Sequence, residues 1–217
     1  MILFQIASLP LLFSLVATLP WDRNRVPSGL SLASTFLKGV LLFFPGYLAI
    51  LIVRRIFGFS YDGVLLYLSL ALRDHLAPVL ASLGCFLILQ KKLDLLGSEE
   101  HTFLMVFAFL SGFLTMINIT DTLRAWGSWD AYVVFLLPTL RIGGALFLAL
   151  VAQRFYRWEG RDGVLFCAVG AALALVSALV SFLLRSSRPA WAAAGAVLFA
   201  LAGALAFAQQ FPRVLRG

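Results

Sequence analysis

The stretch VLLYLSLALRDHLAPVLASLGCFLIL, Val64 to Leu89, decides how this chain is read. It is apolar at nearly every position, and a run of this length belongs in a bilayer. Arg73, Asp74 and His75 stand in a row near its middle. Counted from Asp62 at a rise of ~1.5 Å per residue, Arg73 lies about 16 Å along the segment. That is roughly half the depth of a hydrocarbon core. Charges at such depth are costly and face a protein interior or a watery cavity, so position alone makes the triplet a candidate functional site.

The rest of the chain agrees with that reading. Of its 217 residues, 62% are hydrophobic and 12% charged, and the mean hydropathy is +0.97. A soluble domain of this size cannot cover so much apolar surface. The net charge of +7, from 17 Lys+Arg against 10 Asp+Glu, would raise nucleic acid in a soluble protein. Here the basic residues stand singly or in pairs at the ends of apolar runs, where they set orientation and meet lipid headgroups. No basic block or zinc spacing is present, so nucleic acid is not an expected partner. Cys85 and Cys167 both fall inside apolar runs and read as small apolar residues.

Seven apolar runs approach or exceed the length of a crossing. They are Ile2–Leu19, Thr35–Ile52, Val64–Leu89, Phe103–Ile119, Ala131–Ala152, Val164–Leu184 and Ala190–Ala208. The first lacks a charged start and a small-x-small end, and is read as a retained span, not a signal peptide. The third is long for one straight crossing and is expected to tilt, project or break near Pro78. Pro45 and Pro138 also interrupt runs. The connections are too short for a soluble domain, so residues 1–217 read as one transmembrane domain. Aromatics at run ends, among them Trp126, Trp129, Tyr132 and Trp158, read as interfacial anchors. Loops one, three and five and the C-terminal tail hold nine Lys+Arg, including Arg213 and Arg216, against five in loops two, four and six. The larger set is expected in the cytoplasm, with the N-terminus outside.

A shift of 100 residues aligns Leu48-Ala49 with Leu148-Ala149, Arg54 with Arg154, and Asp62-Gly63-Val64-Leu65 with Asp162-Gly163-Val164-Leu165. Asp-Gly is also ordinary turn chemistry, and an Asp before an apolar run is a good N-cap. If the match is a true repeat, an odd number of spans separates its copies and the second is inverted. Residues 1–20 would be an added span, 33–121 one half and 129–210 the other. Inverted repeats carry transport sites near the midplane. The triplet is not copied, since Leu173, Ala174 and Leu175 stand at the matching positions.

On an α-helix Arg73 and Asp74 point about 100° apart, so partners are expected from other spans. Arg141 is the first choice for Asp74, and Lys38 the second. Ser69 is placed to accept from Arg73. Asn118, Thr120 and Asp121 are placed to receive Arg73 or Arg141. Three readings compete: a buried ion-pair network that fixes packing, a substrate or ion pathway, and a wet break in the third span. His75 adds a group able to move protons near neutral pH. No HExxH, GxSxG or Gly-rich phosphate loop is present, so catalysis has little support. Glu99-Glu100-His101 reads as a solvated first helical turn. No metal or cofactor is expected. Ala192, Ala196, Ala200 and Ala204 recur every four residues, as do Gly170, Ala174 and Ala178, and such strips let helices approach closely.

The expected fold is therefore all-α, a polytopic membrane bundle of about seven transmembrane helices, with a 3+3 inverted repeat plus one helix. The residues carry no family signature. The leading expectation is a small-solute or ion transporter or channel, or the membrane subunit of a transport complex, in a bacterial inner membrane. Its pathway candidates are Arg73, Asp74, His75, Arg141, Asn118 and Asp121. A scaffolding subunit docking through the last span is the alternative, with other membrane subunits or further copies as partners. An intramembrane lipid-modifying enzyme comes third.

Overall fold

The computed structural model describes residues 2–19, 28–57, 62–90, 99–125, 132–155 and 161–208. Among them are seven helices and no strand: α1 (Ile2–Ala17), α2 (Gly29–Ile56), α3 (Gly63–Gln90), α4 (Glu99–Arg124), α5 (Tyr132–Arg154), α6 (Asp162–Arg185) and α7 (Pro189–Ala208). The stretches holding Trp126, Trp129, Trp158, Arg213 and Arg216 lie outside the described residues. The helices α2 to α6 are each long and apolar enough to cross a membrane, so the chain is an integral membrane protein. The flanking α1 and α7 are shorter apolar helices. At 16 residues, α1 measures ~24 Å.

The third span does not break. Its helix is continuous from Gly63 to Gln90, but residues Ala71–Leu76 form a π turn. The first turn of α5, Tyr132–Leu136, is a second one. Each ends two residues before a proline, Pro78 and Pro138. The reason is local. A proline ring offers no N–H to the carbonyl four residues back and collides with it. Widening the turn moves that carbonyl aside and lets bonds skip to i→i+5. The structure shows Pro45 inside α2 without a π turn.

In α4, 89% of the spanning window is buried, against 22% in α2 and 33% in α6. This makes α4 the centre of the bundle, covered on nearly every side. It meets α2 at two glycines. A Cβ on Gly39 would strike the Phe109 carbonyl, and one on Gly112 would strike the Phe36 carbonyl. The backbones touch there, as small residues allow in lipid, where no hydrophobic force drives helices together. Phe43, Phe86, Phe109 and Phe113 fill the space around that crossing.

The two Asp-Gly pairs lie at opposite ends of the bundle, since a Cβ on Gly163 would touch Leu87, far along α3 from Gly63. Their local geometry differs. Asp62 precedes its helix and makes no capping bond, with Gly63 at φ +57°. Asp162 already lies inside α6, whose N-cap is Arg161. The proposed counterparts also pack differently: α4 is central, whereas most of α7 is exposed.

As a packing face within the bundle, the alanine strip of α7 holds only at its start. Ala192 is buried and Ala196 half-buried, but Ala200 and Ala204 are exposed. Four residues advance a helix by about 400°, so a four-residue strip drifts about 40° per step and leaves the contact. The true contact line runs through Ala192, Gly195, Phe199 and Gly203. A Cβ on Gly203 would press on the backbone of Gly143 in α5, and one on Gly195 on Val180 in α6. The Gly170, Ala174, Ala178 strip is buried throughout.

Candidate functional site

An open cleft of about 290 Å³ lies where α2, α4 and α6 end and α5 begins. Arg54, Arg73, Arg124 and Arg185 line it, with Asp74, Asp121 and Tyr132. Each arginine comes from a different helix. Arg54 and Arg124 stand in the last turns of α2 and α4, and Arg185 ends α6. These are the basic residues that close apolar runs, gathered because the three helices end on one face.

Arg73 reaches the same cleft because α3 does not start level with its neighbours. The Ser69 hydroxyl donates to the carbonyl of Phe57, the residue capping α2, at 2.7 Å. The start of α3 thus runs past the end of α2, and Arg73 lies only one turn, ~6 Å, beyond Ser69. Mid-depth placement of the triplet is corrected: it sits just under the helix ends. Counting from Asp62 failed because it assumed that the helices begin flush.

The pairing of the triplet is corrected too. Asp74 does not meet Arg141. Its carboxylate takes a two-pronged bond from its own neighbour, Arg73, from Nε at 3.0 Å and Nη2 at 2.8 Å. The long arginine stem spans the angle between adjacent residues, and the fork matches a carboxylate. The Tyr132 hydroxyl donates to Asp74 Oδ2 at 2.9 Å. Ser69 is spent on Phe57 and does not accept from Arg73. Lys38 lies on α2 sixteen residues before Arg54, ~24 Å along the axis, and cannot reach the cleft.

Arg141 instead binds α4. Its Nη1 donates to Asn118 Oδ1 and its Nη2 to Asp121 Oδ2, both at 2.6 Å. Residues three apart share a helix face, so Asn118 and Asp121 present their oxygens side by side. Asp121 Oδ1 lies 2.9 Å from Arg54 Nη2. One carboxylate thus spans two arginines, and the side chains of all three are buried. Asn118 Nδ2 and the Nε and Nη1 of Arg54 are buried with no partner among the described residues.

His75 points away from the cleft, into α6. Its Nδ1 lies 2.9 Å from Ser177 Oγ and its Nε2 2.7 Å from Ser181 Oγ. Ser177 Oγ also donates to the Ala174 carbonyl at 2.9 Å. Ser181 Oγ likewise lies 3.3 Å from the Ser177 carbonyl, so each serine bridges a ring nitrogen and the backbone of α6, and which partner donates at each nitrogen depends on the tautomer of His75. Both ring nitrogens thus have a hydroxyl partner. Beneath lies a second, mostly apolar cavity of only about 40 Å³, bordered by Asp74, His75, Arg141, Pro78, Leu110 and Phe199, among others. Asp74 lines both cavities.

Two cation–ring contacts finish the rim. The guanidinium carbon of Arg185 lies 4.7 Å from the Tyr132 ring centre, and that of Arg124 lies 5.8 Å from the Tyr47 ring. Sequence reasoning named Arg73, Asp74, Arg141, Asn118 and Asp121. It took Arg54 for an end-of-span cation and Tyr132 for an interfacial anchor. The signal for Tyr132 was its place six residues before Pro138, which mirrors Leu72 before Pro78. No protein-family model, curated protein or solved structure matches this chain.

Proposed function

We propose that this protein is a transporter or channel for a small anionic solute, or the anion-handling membrane subunit of a transport assembly. One observation carries the reading. The buried guanidinium of Arg54 lines a cleft with three other arginines, and two of its nitrogens have no partner among the described residues. A network whose only task is packing has no use for donors left bare, because each unsatisfied buried group is costly. Both atoms are closed off from the cleft, and a turn of the Arg54 head toward it would bring them to an anion there. The second cavity supports passage, since Asp74 forms a wall common to both. The Arg73–Asp74 fork would then be the element that opens.

The seat of the protein is proposed as a bacterial cytoplasmic membrane. The excess of basic residues in the odd loops and tail supports a cytoplasmic C-terminus and an external N-terminus. The cleft, at the even loops, would face outward. The test is reconstitution into liposomes and flux of a panel of labelled anions: chloride, acetate, phosphate and sulfate. Flux of at least one, lost in Arg54→Gln, is expected. A tight vesicle for every anion in the panel would overturn the reading.

A second reading has its own observation. Ala200 and Ala204, with Leu198, Leu201 and Leu205, are turned outward on α7. Small residues on a lipid-facing side suit a helix from a second copy or a partner subunit. Analytical ultracentrifugation of wild type and Ala200→Leu in detergent tests it, with a dimer lost in the variant as the expected result.

A further inference from the structure

Asp74 stands between two spaces. Among the described residues it alone lines both the arginine cleft and the cavity beneath it. On the cleft side its carboxylate is held by the two-pronged bond from Arg73 and by the Tyr132 hydroxyl. On the inner side lie His75, Ser82, Arg141 and Ser177. A cavity of about 40 Å³ has room for about two or three waters at ~10–15 Å³ each, and these polar groups can hold them. A proton on Asp74 thus has one space to arrive from and another to leave by. Arg73 is the movable partner. Its side chain is 27% exposed and lines the cleft. The stem that folds Nε and Nη2 back onto the adjacent residue cannot at the same time extend to an anion in the cleft. When an anion draws Arg73 outward, the Asp74 carboxylate stays buried without its cation, and a carboxylate so placed takes up a proton.

Resting on the anion-handling reading above, we infer that the anion binds together with one proton, the anion on Arg73 and the proton on Asp74, so that the protein is a proton-coupled anion transporter. The charges balance. In the empty site Arg73 and Asp74 cancel. In the loaded site Arg73 is paired with the anion, and Asp74 carries a proton taken from water in the cleft. A monovalent anion and a proton together add no net charge to a low-dielectric bundle. The other charged groups around Asp74 are engaged elsewhere. Arg54 of α2 and Arg141 of α5 are both tied to Asp121 of α4. Arg185 of α6 lies over the Tyr132 ring. Arg124 of α4 lines the cleft and is exposed. Arginines keep their protons throughout the working range. His75, turned to Ser177 and Ser181, is therefore the group that the experiment must separate from Asp74.

The test places the full chain in liposomes with a pH dye inside, and equal potassium with valinomycin holds the voltage at zero. Inward gradients of labelled chloride, sulfate, acetate and phosphate are imposed in turn. Chloride and sulfate bring no proton of their own, and acetate and phosphate are read against protein-free vesicles. The lumen should acidify in step with anion entry, and an inward proton gradient should drive accumulation of the labelled anion from equal concentrations. The half-saturating anion concentration should fall by up to about tenfold for each unit by which the pH is lowered, as linked uptake of one proton requires. In Asp74→Asn the number of protons carried per anion should fall at least tenfold. Arg73→Gln should lower it equally, and this partly exposed position keeps the test open if Asp74→Asn does not fold. An unchanged ratio in either folded variant would place the proton elsewhere, on His75 first, and overturn the assignment. Anion entry without acidification in the wild type would overturn the coupling and leave the anion reading standing. No entry of any of the four anions would overturn both.

Discussion

Asp121→Asn should be the most damaging conservative substitution in this protein. Asp121 Oδ1 holds Arg54 at 2.9 Å and Oδ2 holds Arg141 at 2.6 Å. The three side chains are only 6–8% exposed. Removing one partner of a buried pair costs about 3–5 kcal/mol, because the other charge stays buried without compensation. Here one change exposes two arginines to that fate. Asparagine keeps one oxygen and so serves one of them as a neutral acceptor. Arg54 already has two nitrogens without a partner among the described residues, so its released Nη2 has nowhere to turn. The expected loss is therefore about 3–5 kcal/mol. Asp74→Asn is the internal control. Its arginine is 27% exposed at the side chain and can swing into the cleft, so the loss should stay near the ~1–3 kcal/mol of a charged hydrogen bond. The assay is reversible unfolding in mixed micelles, with the mole fraction of dodecyl sulfate as the variable. Released arginines reach the micelle surface once the bundle opens, so the penalty falls on the folded state. Adding Arg141→Gln to Asp121→Asn should recover part of the loss. Equal losses in the two single variants, or less than about 1 kcal/mol for Asp121→Asn, would refute the reasoning, since no buried shared carboxylate behaves so.

Asp74→Asn and Arg141→Gln should be additive within about 0.5 kcal/mol, because they belong to different networks; a larger coupling in the same micelle assay would join them. Gly112→Ala should cost about 1–3 kcal/mol by forcing α4 off the Phe36 carbonyl, whereas Gly84→Ala, with open space around it, should cost nothing. Similar unfolding midpoints for the two would refute the close crossing. Tyr132→Phe should lose about 1–3 kcal/mol and free the Asp74 carboxylate from one of its donors; an unchanged midpoint would mean that the hydroxyl is not held there. In a background lacking Cys85 and Cys167, a cysteine at Ser60 should react with an impermeant maleimide from the outer face and one at Leu95 from the cytoplasmic face. Labelling of both from one side would overturn the topology.

The number and type of the elements were legible because lipid imposes a simple rule: each crossing must satisfy its own backbone, and only a long apolar helix does so. Run length therefore marked every helix among the described residues. The link from Arg141 to Asn118 and Asp121 was legible only as one option, since Arg141 was assigned first to Asp74 and the shared face of Asn118 and Asp121 did not decide between Arg73 and Arg141. Depth was not legible. It depends on how far α3 overshoots α2, which the Ser69–Phe57 bond sets and composition does not record. The role of Arg54 was hidden for the same reason. An arginine near a span end looks like a snorkelling cation until the lateral placement of α2 beside α4 puts Asp121 against it. The Ala192–Ala204 strip divides, because a spacing of four residues drifts around a helix: Ala192 packs inside the bundle while Ala200 and Ala204 face outward.

The two prolines tie the site to the fold. A π turn inserts one extra residue and so rotates the helix on its N-terminal side by about 100° against the helix on its C-terminal side. In α3 the turn covers the triplet itself. Asp74 and Arg73 face the cleft while His75, the next residue, faces Ser177 and Ser181 of α6. In α5 the turn covers the first residues and brings the Tyr132 hydroxyl onto Asp74. An unbroken α-helix at either place would shift one partner of that hydrogen bond by about a quarter-turn. Pro78 and Pro138 therefore act at a distance from the cleft by setting the phase of the residues that line it. A kink in a membrane helix is commonly absorbed by its neighbours. Here the absorbed strain appears as two wide turns, and both deliver side chains to one carboxylate.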